Sequence, residues 1–168
     1  GRLVTVDRLV EDLWGEDAQA SILTTLHGYV SRLRGALQDA SLLRREGPGY
    51  LLDVPADRVD ARRFEGLLAD ARQSLASDPG RALDQLDAAL ALWRGPAFAD
   101  VEEMEWAHAA ATRLTELRVA TMELRFDALL ALGRHTGAVA ELEAVAQENP
   151  LRERFAAQLA LALYRAGR

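Results

Sequence analysis

Two arginines and a group of small residues share one stretch of the chain and could together bind a polyanion. Residues 18–38 contain no Asp or Glu, although the chain of 168 residues has 26 of them. If this stretch is a helix with about 3.6 residues per turn, one side carries only small residues. These are Thr24, Gly28, Ser31 and Gly35. One shoulder of this face carries Thr25 and Arg32, and the other carries His27 and Arg34.

Such a face suits close approach to DNA. Small side chains admit base edges, and arginines reach guanine or phosphate. A plainer alternative is that the helix packs closely on a neighbouring helix through Gly28 and Gly35. The stretch by itself does not decide between the two.

Other chemistry finds little support in the sequence. All 20 basic residues are Arg, so no lysine is present for a Schiff base or a phosphate-binding loop. The three histidines lie far apart and there is no cysteine, which argues against a metal centre or a cofactor. We therefore expect no enzyme activity. No apolar run reaches about 18 residues, so we expect no membrane span and a cytoplasmic protein.

The net charge of −6 argues against a generally basic DNA-binding surface. Residues 1–57 hold six arginines against nine acids, a net charge of −3, and residues 58–168 also carry −3. Any DNA contact must therefore come from a local patch. Four arginines are close enough in sequence to form it, namely Arg32, Arg34, Arg44 and Arg45.

The elements predicted around these arginines form a helix, a connection, a second helix and a hairpin. Thr5 can cap a helix over 6–14, and Ser21 can cap a longer one that runs to Gln38. Seven apolar residues of the longer helix are predicted to face the core: Ile22, Leu23, Leu26, Tyr29, Val30, Leu33 and Leu37. Two short apolar runs flank Gly47-Pro48-Gly49-Tyr50 and predict the hairpin. This order is that of a helix-turn-helix with a C-terminal wing.

Beyond a short linker at 55–58, the chain is predicted to be helical throughout. Asp78-Pro79 is a strong helix start, because Pro suits the first helical position. Gly133 and Gly167 mark equivalent helix ends 34 residues apart, which is the tetratricopeptide period. We expect Gly133 and Ala138 to lie at a tight corner between helices, where a larger side chain would clash. Arrays of this kind present a groove to a partner.

Three strings carry a resemblance to a known family: Leu13-Trp14-Gly15, the run from Thr25 to Leu37, and Gly47-Pro48-Gly49-Tyr50. They resemble the OmpR-like winged helix, in the version found in Streptomyces antibiotic regulatory proteins. In that family the winged helix is joined to a helical bacterial transcriptional activator domain. Leu92-Trp93-Arg94-Gly95-Pro96 and the segment 149–154 are similar to that second domain. The resemblance covers essentially the whole chain.

The resemblance implies a mainly α-helical fold: a partial winged helix-turn-helix over 1–57, then a tetratricopeptide-like activator domain over 58–168. Relative to the family, we expect the first part to lack its N-terminal sheet and first helix. The second part is expected to stop where the second helix of the next pair would start. A basic residue usually precedes the wing turn, and this chain has Glu46 there. Because strand side chains alternate, Arg44 and Glu46 should share one face, so Glu46 would either face phosphate directly or pair with Arg44.

The implied function is sequence-specific activation of transcription, with promoter DNA (direct repeats) and RNA polymerase as partners at the bacterial nucleoid. The resemblance further suggests a pathway-specific regulator of secondary metabolism such as antibiotic biosynthesis. The helical repeats are expected to mediate homodimer or partner contacts. The predicted DNA-binding residues are Thr24, Thr25, His27, Gly28, Ser31, Arg32, Arg34, Arg44, Arg45 and Tyr50. Those predicted to contact polymerase are Gly15, Glu16, Asp17 and Ala18.

A second reading, from a different class of protein, stays open. The chain could be a helical-repeat scaffold that binds other proteins and whose degenerate winged helix no longer binds DNA. Glu46, the net charge of residues 1–57 and the missing first helix favour this alternative.

Overall fold

The computed structural model describes residues 1–15, 21–101 and 103–168. The chain forms two compact units, one made of 1–59 with 101–108 and the other of 60–100 with 109–168. The strands are β1 (Leu3–Thr5), β2 (Leu43–Glu46) and β3 (Gly49–Leu52). The helices are α1 (Val6–Trp14), α2 (Ile22–Ala36), α3 (Asp60–Ser74), α4 (Pro79–Leu90), α5 (Glu105–Ala131), α6 (His135–Glu148) and α7 (Glu153–Arg165). The predicted fold class is confirmed: mainly helical, with a partial winged helix before the helical repeats.

The sheet of the first unit has the antiparallel order β1-β3-β2. The hairpin β2–β3, called the wing below, was predicted from its Gly-Pro-Gly turn. Strand β1 was not predicted, because three residues are too few to show a pattern. It pairs Leu3 with Leu51 and Thr5 with Gly49. A Cβ on Gly49 would lie 2.0 Å from the carbonyl oxygen of Val4, so only glycine lets β1 and β3 approach this closely.

Helix α1 begins as predicted, because the Thr5 hydroxyl accepts a hydrogen bond from the backbone N–H of Arg8 at 3.2 Å. Helix α2 departs from the prediction at three points, the first being its end at Ala36 rather than Gln38. The Ser21 side chain makes no capping hydrogen bond. Only Leu26 and Val30 of the predicted core stripe are buried, and Leu23, Tyr29 and Leu33 are 48%, 40% and 55% exposed. Among the described residues, only a narrow line of α2 is covered by neighbours.

In the second unit, α3 and α4 pack around one apolar core. The Asp78 side chain accepts a hydrogen bond from the backbone N–H of Arg81, and Pro79 opens α4 as predicted. Phe64 and Trp93 meet edge to face with ring centres 5.5 Å apart. The buried residues of this core are Phe64, Leu68, Ala71, Leu83, Leu86, Ala89, Leu114 and Ala128.

Helices α5, α6 and α7 form a second core and carry the repeat. Gly133 and Gly167 both adopt left-handed backbone conformations, with φ of 72° and 74°. Each donates its N–H to the carbonyl three residues earlier, Leu130 in one turn and Tyr164 in the other. The two helix ends are therefore equivalent, as the 34-residue spacing predicted. The buried residues are Phe126, Leu130, Ala138, Val139, Leu142, Phe155 and Ala162.

The predicted tight corner holds for one of its two residues. Ala138 is 1% exposed and belongs to the second core. At Gly133 the expectation of a clash was wrong, because a Cβ there would meet nothing within 4 Å. Positive φ, rather than lack of space, favours glycine at this position.

One arginine joins three helices of the second unit. The Arg125 guanidinium on α5 donates hydrogen bonds to Asp87 on α4 and, at 2.9 Å, to both carboxylate oxygens of Glu141 on α6. Its side chain is mostly buried, whereas the two acids are about half exposed. A planar guanidinium can serve two carboxylates at once, because its five N–H groups point in different directions.

Candidate nucleic-acid interface

The small-residue face of α2 is open in the part of the chain that the structure describes. Thr24, Gly28, Ser31 and Gly35 are all exposed. A Cβ placed on Gly28 or on Gly35 would meet nothing within 4 Å. The alternative in which these glycines admit a neighbouring helix therefore finds no support among the described residues. An open face of small side chains lets a helix lie close to the base edges when it enters a DNA groove.

Arg32, on one shoulder of this face, contacts an aromatic ring through its guanidinium. Its central carbon lies 4.8 Å from the centre of the Tyr29 ring, one turn earlier on α2. The Tyr29 ring in turn stacks on Trp14, with ring centres 5.9 Å apart and planes 17° apart. The Arg32 donors make no hydrogen bond or ion pair with any residue in the described ranges. Thr25, on the same shoulder, is exposed.

Arg34, on the opposite shoulder, has a structural partner. Its Nε donates a 2.8 Å hydrogen bond to the carbonyl oxygen of Leu43, the first residue of β2. The side chain is half-buried, unlike those of Arg32 and the exposed His27. This bond brings the last turn of α2 and the start of the wing together, so the predicted helix and wing residues do belong to one region.

Of the two wing arginines, Arg44 has acidic partners, whereas Arg45 has none among the described residues. Arg44 forms ion pairs with Glu46 at 3.6 Å and with Asp53 at 3.2 Å, which confirms the predicted Arg44–Glu46 pairing. Arg45 is exposed and makes no ion pair within the described residues. Tyr50 lies opposite Arg45 in the ladder and is 7% exposed, so its ring belongs to the core under the wing. A DNA contact through the Tyr50 hydroxyl stays a prediction.

A short 3₁₀ turn between α2 and the wing is held by Asp39. Its carboxylate accepts hydrogen bonds from the hydroxyl of Ser41 at 2.6 Å and from the backbone N–H of Ser41 at 2.9 Å. These two bonds lower the pKa of the Asp39 carboxyl below its ordinary 3.8, and the positive charge of Arg58 adds to the effect. The turn sets the direction in which the chain enters β2.

The predicted polymerase contact can be followed at one residue only. Gly15 ends α1 with φ of 57° and donates its N–H to the carbonyl of Glu11. Glu16, Asp17 and Ala18 lie outside the described residues. A role for the segment 15–18 stays a prediction.

Tyr29 and Trp14 are the residues that sequence reasoning did not assign to the site. Tyr29 was placed in the core, yet it lies beside Arg32. The available signal was the three-residue spacing of Tyr29 and Arg32, which makes them neighbours on a helix surface. The pairing with Trp14 needed the packing of α1 on α2. In the described part of the chain, no cluster of metal-ligating side chains and no helix long and apolar enough to cross a membrane is found.

Comparison with known proteins assigns residues 59–168, about two thirds of the chain, to a family. Residues 59–168 match the family described as "Bacterial transcriptional activator domain". The chain belongs to the family of Streptomyces antibiotic regulatory proteins. This confirms the resemblance drawn from the sequence, and it agrees with the expectation of a regulator rather than an enzyme.

The similarity to individual members of this family runs along the whole chain. The transcriptional regulator RedD of Streptomyces coelicolor is 35% identical over all of this chain and 50% of its own length. The regulatory protein DnrI of Streptomyces peucetius is also 35% identical, over 66% of its length. The chain thus spans about half to two thirds of these relatives.

A solved structure is similar over nearly the whole chain. It is Mycobacterium tuberculosis EmbR in complex with a low-affinity phosphopeptide. The TM-score is 0.91 at 34% identity, and the match covers 99% of this chain and 46% of that one. The partial winged helix and the helical domain that follows it therefore occur together in a transcriptional regulatory protein of the same family.

Proposed function

We propose that this chain is part of a sequence-specific transcriptional activator that binds promoter DNA and recruits RNA polymerase in the bacterial cytoplasm. In this proposal, residues 1–57 bind direct repeats in the promoter and residues 58–168 mediate homodimer or partner contacts. Regulation of a secondary-metabolite pathway is proposed from membership of the family of Streptomyces antibiotic regulatory proteins. The observation that carries the proposal is the open, acid-free face of α2, with Arg32 on its shoulder making no hydrogen bond or ion pair to any described residue.

Charge and geometry divide the predicted DNA-binding residues into two groups. Arg32 and Arg45 have free donors among the described residues and are proposed to contact DNA directly. Arg34 and Arg44 are already engaged by Leu43, Glu46 and Asp53. Thr24, Thr25, His27, Gly28 and Ser31 supply the surface that follows the groove. A bidentate contact from one arginine to guanine contributes about 1–3 kcal/mol of discrimination against a wrong base.

The test starts from duplexes that the full chain selects from a random-sequence pool. The affinity for the best duplex is then measured between about 50 and 200 mM salt, and log K should fall linearly with log salt at about −0.9 per phosphate contact. Arg32→Ala should cost about 1–3 kcal/mol and relax the preference at one base position. Arg72→Ala removes an equal charge from an exposed position at the end of α3 and is the matched control.

The double variant Arg32→Ala, Arg34→Ala gives the stronger test. Normal binding by this variant would show that neither arginine on the shoulders of α2 contacts DNA. A wild-type chain that selects no sequence and shows no salt dependence would contradict DNA binding itself.

Recruitment of polymerase is proposed for the segment 15–18, between α1 and α2. Asp17→Arg should lower transcription from the selected promoter in a reconstituted reaction without lowering DNA affinity. If transcription and DNA affinity both fall, the segment contacts DNA instead. Equal transcription by both proteins would exclude the segment as the polymerase contact.

The protein-interaction scaffold remains the second candidate, and one observation favours it. Arg44, one of four arginines near the proposed interface, is neutralised by Glu46 and Asp53. Two arginines and two acids leave residues 43–53 without net charge, which would suit a chain that binds only other proteins. The salt titration separates the two candidates, because only a DNA-binding chain gives a slope that falls when Arg32 is removed.

A further inference from the structure

Three side chains in the first unit form one continuous stack that ends in a cation. Trp14 is the last residue of α1, Tyr29 lies in the middle of α2, and Arg32 follows Tyr29 by one turn. The Trp14 and Tyr29 rings are nearly parallel at 5.9 Å, and the Arg32 guanidinium carbon is 4.8 Å from the Tyr29 centre. Both distances fall within the ranges in which aromatic pairs and cation–π pairs attract each other.

The stack restrains Arg32 without using its hydrogen-bond donors. A cation–π contact engages the face of the ring and leaves the guanidinium N–H groups available. No residue in the described ranges accepts a hydrogen bond from these groups. Arg34 differs, because its Nε–H donates a hydrogen bond to the carbonyl oxygen of Leu43. Arg32 is thus held in place on one side of the α2 face while its donors remain free.

We propose that Tyr29 is a positioning residue for Arg32, and that Trp14 in turn fixes the ring of Tyr29. This inference rests on the proposed DNA binding and names the groups that prepare its main contact. A free arginine loses side-chain freedom when it binds phosphate or a guanine edge, and this loss weakens binding. A guanidinium already held against a ring loses less. Tyr29 therefore raises DNA affinity through Arg32, without touching the DNA.

The stack also explains why an exposed apolar ring occupies this position. Tyr29 is 40% exposed, although the periodicity of α2 assigns it to the core. A leucine there could cover Trp14 as well, but it offers no π face to a cation. The ring, rather than its bulk, is what Arg32 requires.

A double-mutant cycle on the full chain tests the positioning role, with the duplex selected by the wild type as the probe. Tyr29→Leu should weaken binding about two- to five-fold, the range expected for losing an exposed cation–π contact. Tyr29→Phe keeps the ring and should bind within experimental error of the wild type. In an Arg32→Ala background, Tyr29→Leu should have no further effect, because the residue through which Tyr29 acts is gone.

A measurement without DNA checks the stack itself. In NMR spectra of the free protein, the δ protons of Arg32 should be shifted upfield by the ring current of Tyr29. The shift should persist in Tyr29→Phe and disappear in Tyr29→Leu. Unfolding curves of the three proteins show whether Tyr29→Leu acts through lost stability instead.

The outcomes distinguish this inference from the proposed function. If the wild type binds DNA with the expected salt slope but the losses from Tyr29→Leu and Arg32→Ala add, the positioning role is overturned and DNA binding stands. An upfield shift of the Arg32 δ protons that persists in Tyr29→Leu would also overturn the positioning role. A wild type that binds no duplex overturns both. Coupled losses together with a lost upfield shift support the inference.

Discussion

The Nε of Arg34 lies 2.8 Å from the carbonyl oxygen of Leu43, so an arginine on one shoulder of α2 is bound to the first strand of the wing. Arg32, two residues earlier, is held by a ring and keeps its donors. The sequence presents the two arginines as equivalent shoulders of one face. In the structure they differ, because Arg34 joins two elements, whereas Arg32 makes no hydrogen bond to any described residue and is the one proposed to contact DNA.

Removing the Arg34 side chain should therefore lower stability. Arg34→Ala leaves the carbonyl of Leu43 without its charged donor, and such bonds contribute about 1.5–3 kcal/mol when fully formed. Because Arg34 is only half-buried, we expect a loss near the lower end of that range in the free energy of unfolding, measured in urea. Arg32→Ala, the comparison, loses only a contact with the Tyr29 ring and should cost less, about 0.5–1 kcal/mol. Equal destabilisation by the two variants would contradict the division of roles.

Reversing the charge of Glu46 should strengthen DNA binding. Glu46→Arg removes the acid that pairs with Arg44 and adds a cation to the wing, where the negative potential of a narrow minor groove attracts arginine. Affinity at low salt should rise, and the slope of log K against log salt should steepen by about 0.9, one phosphate contact. Sequence preference should change little.

Two results of the Glu46 titration would disagree with this expectation. An unchanged affinity and slope would mean that the wing does not meet DNA. A fall in affinity would mean that Glu46 makes a favourable contact of its own. Glu148→Arg, at an exposed position at the end of α6, makes the same change in net charge and is the control.

The turn held by Asp39 should weaken in acid. Its pKa in the folded protein is lowered by the two hydrogen bonds from Ser41, so the folded state favours the ionised carboxylate. The stabilisation is present above the ordinary pKa of 3.8 and is lost as the pH falls through the lower folded pKa. The amide signal of Ser41 should titrate with a midpoint below 3.8 and lose this transition in Asp39→Asn. A midpoint at or above that value would contradict the assignment.

Overpacking at Ala138 should destabilise the second core. Ala138 is 1% exposed and lies in the cluster formed by α5, α6 and α7. Ala138→Leu should cost about 1–3 kcal/mol, because extra volume forces neighbours from their preferred positions. At this chain length, each kcal/mol lowers Tm by about 2–4 °C. Ala140→Leu, two residues along α6 at an exposed position, is the control and should melt like the wild type.

Local signals predicted the elements well where the stabilising bonds are themselves local. Thr5 and Asp78 cap their helices through hydrogen bonds to backbone N–H groups three residues along the chain, and such spacings can be read directly. The equivalence of Gly133 and Gly167 follows in the same way from a repeated turn. The family resemblance added the order of the two parts.

Features that depend on distant partners were not predicted. Strand β1 exists because Leu3–Thr5 meets β3, which lies more than 40 residues later. Leu33 was placed in the core by periodicity, but it is 55% exposed. The different roles of Arg32 and Arg34 likewise depend on what Tyr29 and Leu43 place beside them. A helical wheel gives the direction of a side chain, and only the packed structure gives its partner.

The single guanidinium of Arg125, shared by acids on α4 and α6, has a consequence for how these helices change over evolution. Either Asp87 or Glu141 can be lost alone, since the other carboxylate still balances the mostly buried arginine. Loss of Arg125 first would leave both acids without their shared cation. We therefore expect an order of inheritance in related chains, in which one acid varies before the arginine does and replacement of the arginine accompanies loss of an acid. Substitutions on helices that are far apart in sequence would in this way depend on one another.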